Sequence, residues 1–490
     1  MVKSNKSKKR KNRKYKGFKR NPVSSKKIKA STPYDTCTEQ LSPFGGVLAL
    51  IKFFDLIGFK AIFNLAYIGP SRKPKLGHYN MIVGVLMLLF IGFNRLWHFS
   101  YLRLDAMLCG FFQLTRLPVA STFWRYVNSL GINQANALIH LMALMRQRAW
   151  QLSDLNYSYV RVDIDTTVET LFGNQQGGRK GHNTKNRGKK GYRPVLCFIE
   201  QSREYLVGNL RKGETISGKE TAALIKKVRR CLPECVHEVL IRADGEFQSW
   251  ASVQECISEK VDFIIANKRC NPIFDPKGWY QPKKRKLHQY NSCIYQPQGW
   301  GQPCRFVVMR IPLETKNAKG QGVQLPLFED DQYKYRIFCT SLKRKAHKVI
   351  REYDKRADVE NLVGECKREG LDAIPSAQFK SNYAYFQIVM LAYNIWRYMK
   401  ILAECSARQD SLNDIAHNCQ GMKGIETNTV RIARLRLLMI SAKVVTDSNR
   451  DKVRYSVQDS RTQGLFCFLE YLDMKRKKPR PWVTQVVGAI

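Results

Sequence analysis

Three carboxylates stand in sequence contexts that could serve divalent metal binding. Asp165 closes the alternating segment 159–165, YVRVDID, and is followed directly by Thr166 and Thr167. Asp244 closes a second short apolar run, VLIRA at 239–243, just before Gly245. Both runs read as strands. Functional groups gather at the carboxyl ends of strands in mixed α/β sheets, so the two acids converge if those strands are neighbours. Glu360 is the third acid. Tyr353, Glu360 and Lys367 recur every seven residues and Arg356 precedes Glu360 by four, so one helical face would carry an acid, a phenol and two cations. Oxygen-only donors select Mg²⁺ or Mn²⁺ rather than zinc. Two such ions activate an attacking oxygen and stabilise a leaving oxygen in an in-line displacement. Plainer readings exist for each residue alone: a turn or cap role for either aspartate, a solvated face with ion pairs for the helix. Asp163, two residues before Asp165 and on the same strand face, stands as an accessory ligand or an alternative first acid.

Such acids are conspicuous in a chain this basic. Across 490 residues, 83 Lys and Arg oppose 40 Asp and Glu, a formal charge of +43. That excludes an acidic disordered protein and an ordinary neutral metabolic enzyme, and it points to a polyanionic partner, nucleic acid. Residues 3–29 hold 14 Lys or Arg, and no acid occurs before Asp35. A segment of this composition buries no core and is expected to be a disordered electrostatic arm for phosphate. The stretch 177–194, GGRKGHNTKNRGKKGYRP, has seven cations and no acid. Its glycines allow close backbone approach to phosphate, so Arg179, Lys180, Lys189, Lys190 and Arg193 are expected to contact DNA. His182, a lone histidine in a basic loop, reads as incidental.

The elements that would position these groups follow in order. Residues 41–150 read as mostly helical, with apolar clusters such as Leu138, Leu141 and Leu144 at helical spacing. Met81–Phe93 is an apolar run of 13 residues. A bilayer span needs roughly 18–20, so a buried helix is expected and no membrane partner. From residue 157 the pattern changes to strands at 159–165, 194–200 and 204–208. A helix at 218–230, a strand at 239–243, a helix at 249–259 and a strand at 261–266 follow. Three strands in a meander, then helix, strand, helix, strand, is the ribonuclease-H-like order, with an α/β mixed sheet. Seven prolines between 268 and 340, and three alternating stretches there, indicate a β-rich insertion. Helical patterning returns over 342–368. Residues 382–402 are apolar nearly all round, as in a central buried helix. The 14 cysteines are scattered, and Cys231, Cys235 and His237 lack a second ligand pair for zinc. Reduced thiols and a cytoplasmic, nucleoid-associated protein are expected.

The motif Tyr353-x2-Arg356-x3-Glu360-x6-Lys367 resembles the Tyr-Arg-Glu-Lys signature of DDE transposases from bacterial insertion sequences. Asp-Thr-Thr at 165–167 and Arg-x-Asp-Gly-x-Phe at 242–247 resemble the first two acid motifs of that family. Leu210–Glu214 resembles its Leu-Arg-x-Gly-Asn segment, with Glu214 in place of Asn. The resemblance spans roughly residues 157–405. It implies a triad of Asp165, Asp244 and Glu360 on two Mg²⁺ or Mn²⁺ ions, cutting at terminal inverted repeats and joining 3′ ends to target DNA. It further implies DNA contacts by Tyr353, Arg356 and Lys367, and a homodimer in a synaptic complex on double-stranded DNA. An aromatic of the insertion, Trp279 or Trp300, is a candidate to stack on a displaced base. The domains expected are a disordered basic arm (1–34), a helical DNA-binding domain (35–155), a catalytic domain (156–267 and 341–405) interrupted by the insertion (268–340), and a C-terminal region (406–490). Two other readings remain: a captured, non-catalytic transposase-derived DNA-binding protein, and a two-metal nuclease on the same fold.

Overall fold

Alternation along short β-branched runs builds one large sheet. Its strands are β1 (Tyr159–Thr166), β2 (Val195–Ile199), β3 (Glu204–Asn209), β4 (Glu238–Ala243), β5 (Asp262–Ala266), β6 (Gln289–Tyr295), β7 (Cys304–Pro312) and β8 (Tyr333–Thr340). The structure, a computed structural model, describes residues 28–181, 183, 186–283, 287–313, 332–410 and 419–477. Most of the basic arm and His182 therefore lie outside the described residues. Gln40–Ile490 forms one compact unit, separate from the residues before it.

The spatial order is β6-β7-β8-β5-β4-β1-β2-β3. The β1, β2 and β3 strands form an antiparallel meander, while β4 lies parallel to β1 and β5 parallel to β4. This is the strand succession expected from the sequence. The alternating stretches of the insertion do not stand apart as a sheet of their own. They extend the main sheet, because β8 pairs antiparallel with β5 from Phe338 opposite Ala266 to Thr340 opposite Ile264.

Each face of the sheet is covered by helices whose apolar stripes match it. Leu224, Ile225 and Val228 of Gly218–Cys231, and Val253 and Cys256 of Trp250–Ser258, bury with Ile241 and Phe263. The first of these helices starts at a capping box, where Ser217 Oγ accepts from Glu220 N and Glu220 Oε2 accepts from Ser217 N. Val349 and Ile350 of Ala346–Asp354 bury against Leu240, Ile264, Val307 and Phe338. The long helix Phe379–Asp410 is buried on all sides over residues 381–404, as its composition requires. Its Trp396 stacks on Phe90 of Gly77–Ile91 at 4.1 Å. Among the described residues no single helix is long and apolar enough to cross a membrane.

Buried charge joins these layers. Glu204, at the start of β3, accepts from Arg146 Nε at 3.1 Å, Trp150 Nε1 at 2.8 Å and Ser202 Oγ at 2.8 Å, and also from the Tyr398 hydroxyl. This one carboxylate fastens helix Ile132–Leu152 and the long helix to the sheet. The first and last described elements of this unit are also tied into it. Leu41–Ser42 pairs with Lys443 and Ala442 of a C-terminal hairpin, and Arg476 lies 3.0 Å from Asp55. Cysteines from Cys37 to Cys405 are free thiols as expected, whereas Cys467 is disulfide-bonded, which corrects that expectation at one position.

A second correction concerns Tyr353, Arg356, Glu360 and Lys367, read as one face of a helix. The chain forms helix Ala346–Asp354, a 3-10 turn Lys355–Ala357, helix Asp358–Cys366 and a π turn Lys367–Leu371. Tightening at 355–357 turns Arg356 inward and leaves Glu360 outward, so the seven-residue stripe does not survive as one face.

The pair that sets the register of β1 and β4 is Arg242 with Asp163. Arg242 is fully buried and donates Nε and Nη2 to the two oxygens of Asp163, at 2.7 and 2.8 Å. Replacing Arg242 by Met leaves Asp163 buried without its cation. The expected cost is about 3–5 kcal/mol of unfolding free energy, read from urea denaturation.

Candidate active site

Strand register alone brings two acids together. Ile164 of β1 lies opposite Ala243 of the parallel strand β4. The next residue on each strand is a carboxylate, Asp165 and Asp244. Asp244 turns the chain into the 3-10 turn Gly245–Phe247 and accepts from Glu246 N at 2.9 Å. The cap role and a role in chemistry therefore coexist in this residue. Asp163 is excluded as a free ligand by its bidentate pairing with Arg242.

Burial pushes the Asp165 carboxyl up to about 6. The Arg356 guanidinium opposes that rise, and the neighbouring Asp244 charge adds to it. Arg356 donates from Nη2 to the Ile164 carbonyl at 2.7 Å and to Asp165 Oδ1 at 3.1 Å. Tyr353 packs on Phe338 with ring centroids 4.5 Å apart, and its ring lies 6.0 Å from the Arg356 guanidinium carbon. Burial raises the pKa of its hydroxyl.

Lys367 behaves like Arg356. Its Nζ donates to the Val168 carbonyl at 2.7 Å and lies 3.3 Å from Glu169 Oε1 and 3.8 Å from Asp372. Burial and Asp372 push Glu169 up to about 9 despite that cation. Two residues read as DNA contacts thus grip the segment 164–169 from within the chain, one at each end. Glu360 does not join the pair. It is exposed in the first turn of Asp358–Cys366, and among the described residues no three acids, histidines or cysteines are grouped to hold a metal.

The basic loop between β1 and β2 carries a small sheet of Glu169–Thr170, Lys190–Tyr192 and Arg179–Lys180. Lys180, Lys189 and Lys190 are exposed, and Arg179 pairs with Glu214 at the surface. Gly213 of the Leu210–Glu214 motif fits against this sheet only because it lacks a side chain: a Cβ would meet Arg179 O at 2.5 Å and Gly191 O at 2.6 Å. Arg193 points the other way, to Glu246 Oε2 at 2.6 Å. Sequence reasoning passed over Glu246. It accepts from Arg193, from Thr166 Oγ1 at 3.1 Å and from Ile216 N at 3.2 Å, so it joins the first acid motif to the second. Its place beside Asp244–Gly245 was the only signal available.

Of the insertion's tryptophans, Trp300 packs between Trp250 and Phe306, at 5.6 and 6.2 Å. Trp279 covers the Arg310 guanidinium at 4.1 Å, with Tyr333 also 4.3 Å from that cation.

The sheet and its site define the class: an α/β protein with a large mixed sheet and two aspartates at the carboxyl ends of adjacent parallel strands. The chain belongs to the DDE transposases, since the family model described as "Transposase DDE domain group 1" matches residues 21–473. Among solved structures it is similar to the piggyBac transposase in a synaptic complex with hairpin DNA. That match has a TM-score of 0.39 and 11% identity over 90% of this chain and 83% of that one. It is also similar to the Mos1 transposase in a paired-end complex with the left transposon end, with a TM-score of 0.17 and 9% identity over 39% and 60% of the two chains. No curated protein matches it.

The raised pKa has a sign that can be checked. Asp165 titrates near 3.8 when unfolded and near 6 when folded, so the unfolded state gives up its proton first as pH rises. The group costs nothing below about pH 4, destabilises progressively through that window, and costs about 3 kcal/mol above it. Asp165→Asn is expected to flatten the fall in stability between about pH 4 and 6. Thermal denaturation across that range, against wild type, measures it.

Proposed function

We propose that this chain is an active transposase of the insertion-sequence kind, cutting DNA at the terminal inverted repeats of its element and joining the 3′ ends to a target. The observation that carries the reading is the placement of Asp165 and Asp244 side by side at the ends of β1 and β4. The β3-β2-β1-β4-β5 order supports a ribonuclease-H-like catalytic core. The Tyr353, Arg356, Glu360 and Lys367 spacing supports the insertion-sequence group.

The pair fits a divalent cation in chemistry. Both donors are hard oxygens, and the Asp244 charge adds to the rise of the Asp165 pKa, which a nearby cation would offset. Asp165 and Asp244 would hold Mg²⁺ or Mn²⁺, with Glu360 as the third donor once it is carried to them. When bound, such ions supply Lewis-acid stabilisation of the attacking and leaving oxygens. The chain's own residues do the rest. Arg356 holds Asp165 at a fixed position, Lys367 fixes the backbone that follows it, and Arg193 with Glu246 locks the second motif to the first. Lys180, Lys189 and Lys190 would present exposed cations to the phosphate backbone.

The exposure of Glu360, apart from the pair, favours a second reading: a protein that keeps DNA binding and has no cleavage activity. One experiment separates the two. Excision of a marker from a plasmid bearing the gene's native flanks is expected with wild type. It should fall at least about 100-fold with Asp244→Asn, whose flank binding stays within about twofold. Flank binding without excision by either protein selects the second reading. Removing residues 1–27, which hold most of the arm's cations, is expected to weaken binding to any duplex and reduce the slope of log affinity against log salt. Binding isotherms at several salt concentrations check it.

A further inference from the structure

Five free thiols, Cys256, Cys270, Cys293, Cys304 and Cys339, gather around the insertion strands, apart from the acid pair. Cys304 opens β7, and Phe306 follows it on the same face of the sheet. Phe306 lies opposite Cys293 of β6 on one side and opposite Cys339 of β8 on the other. Cys256 of helix Trp250–Ser258 and Cys270 of the turn after β5 lie near Cys339, and Trp300 packs beside Phe306 at 6.2 Å. The acid pair uses none of these thiols.

Burial alone accounts for a cysteine in a core, where it packs as a small hydrophobe. One pair here does more. Cys339 faces Phe306, two residues from Cys304, so the two cysteines are diagonal neighbours on one face of adjacent strands. The Cys339 thiol donates to the Cys304 sulfur, which pulls the Cys304 thiol below its ordinary range and pushes that of Cys339 well above it. The two also differ in access. Cys304 is 7% exposed at the first residue of its strand, and Cys339 is fully buried. The half-buried Cys270 and Cys293 are weaker competitors, because burial pushes both thiols up, Cys293 to about 11. Thiolate character and access together make Cys304 the sulfur that meets an oxidant first, with Cys339 in reach behind it.

We propose that Cys304 and Cys339 are a reversible oxidation site, at which hydrogen peroxide converts the two thiols into a disulfide joining β7 to β8. The Cys304 sulfur attacks one peroxide oxygen, the O–O bond breaks, and Cys304 becomes a sulfenic acid as the first water leaves. The Cys339 sulfur then attacks the Cys304 sulfur. The S–S bond forms, the S–O bond breaks, and the hydroxyl leaves with the Cys339 proton as the second water. Two thiols have lost two electrons and the peroxide has gained them. A small dithiol reverses the bond by exchange. The disulfide would tie together two strands of the insertion, and β5 alone separates β8 from β4, the strand that Asp244 follows. The proposal does not depend on whether the chain cuts DNA.

The test treats the folded full chain with excess hydrogen peroxide, blocks remaining thiols with iodoacetamide in denaturant, and maps the peptides by mass spectrometry without reduction. Wild type is expected to yield one new cross-linked species, the Cys304 peptide joined to the Cys339 peptide and lighter than the two thiol peptides by the mass of two hydrogen atoms. Dithiothreitol before the block should restore both as alkylated thiols. Two variants test the order of attack, with dimedone added alongside the denaturant to capture sulfenic acid. Cys339→Ser should carry the adduct at Cys304, and Cys304→Ser should leave Cys339 an alkylatable thiol. The wild-type map needs no variant to fold, and it decides the pairing. Cys304 and Cys339 both alkylated after peroxide would overturn the proposal. So would a disulfide from Cys304 to Cys270 or Cys293, which would assign the chemistry to a different pair, or oxidation of Cys339 in Cys304→Ser, which would remove Cys304 as the attacking sulfur.

Discussion

The acid pair depends on a cation it does not touch. Arg242 is buried in β4 with its Nε and Nη2 donating to Asp163, and its Nη1 donates to the Glu352 carbonyl at 2.8 Å. Glu200 lies 3.6 Å away, and Arg161 pairs with both Glu200 and Glu352. Removing such charges from water is expensive, so the network is tolerable only with its geometry complete. A slip of β1 against β4 by one residue would separate Asp163 from Arg242 and put every side chain of β1 on the wrong face. The network is thus a register lock. The register it holds is the one that leaves Asp165 and Asp244 as neighbours at the strand ends.

A chain of net charge +43 does not spend its cations only on partners. Arg146, Arg242, Arg356 and Arg434 are all buried, each on carbonyls or carboxylates of the chain. Around the site the division is clear. Arg356, Lys367 and Arg193 face inward and fix backbone or acids, whereas Lys180, Lys189 and Lys190 face solvent. Guanidinium is the better internal fastener because its planar fork satisfies two acceptors at once, while the exposed positions here are mostly lysines, hydrated point charges suited to phosphate.

This division explains what was legible in the sequence. The strands of the central sheet were, because alternation and turn residues are local signals, and so was the convergence of Asp165 with Asp244, which follows from strand order. The burial of 382–402 was legible because no polar face interrupts it. The inward turn of Arg356 and Lys367 was not. Spacing along a sequence gives a helical face only if the helix is continuous, and the break at 355–357 depends on acceptors at Ile164 and Asp165, nearly 200 residues earlier. Likewise, alternation in 289–340 indicated strands, but which sheet they join is a long-range pairing that no local pattern records. Asp163 shares the strand and face of Asp165; the Thr166–Thr167 that follows favours Asp165 in the sequence, and the pairing of Asp163 with Arg242 on β4 gives the physical reason.

The remaining tension is Glu360, and the two clamps frame it. Arg356 grips the chain at Ile164 and Asp165, Lys367 grips it at Val168 and Glu169, and Glu360 lies between them in sequence, in helix Asp358–Cys366. The helix cannot slide as a rigid rod toward the acids without breaking both contacts, one of them to the acid itself. It ends in the 3-10 turn on one side and in the π turn, where Gly370 adopts a φ of 121°, on the other. Both ends are irregular helical turns, of the kind that often mark hinges, strained sequence or functional sites. The position of Glu360 is therefore coupled to that of Asp165 through Arg356. Asp165 and Asp244 would hold a cation beside that same guanidinium, so Arg356 would anchor both the first acid and the helix that carries the third.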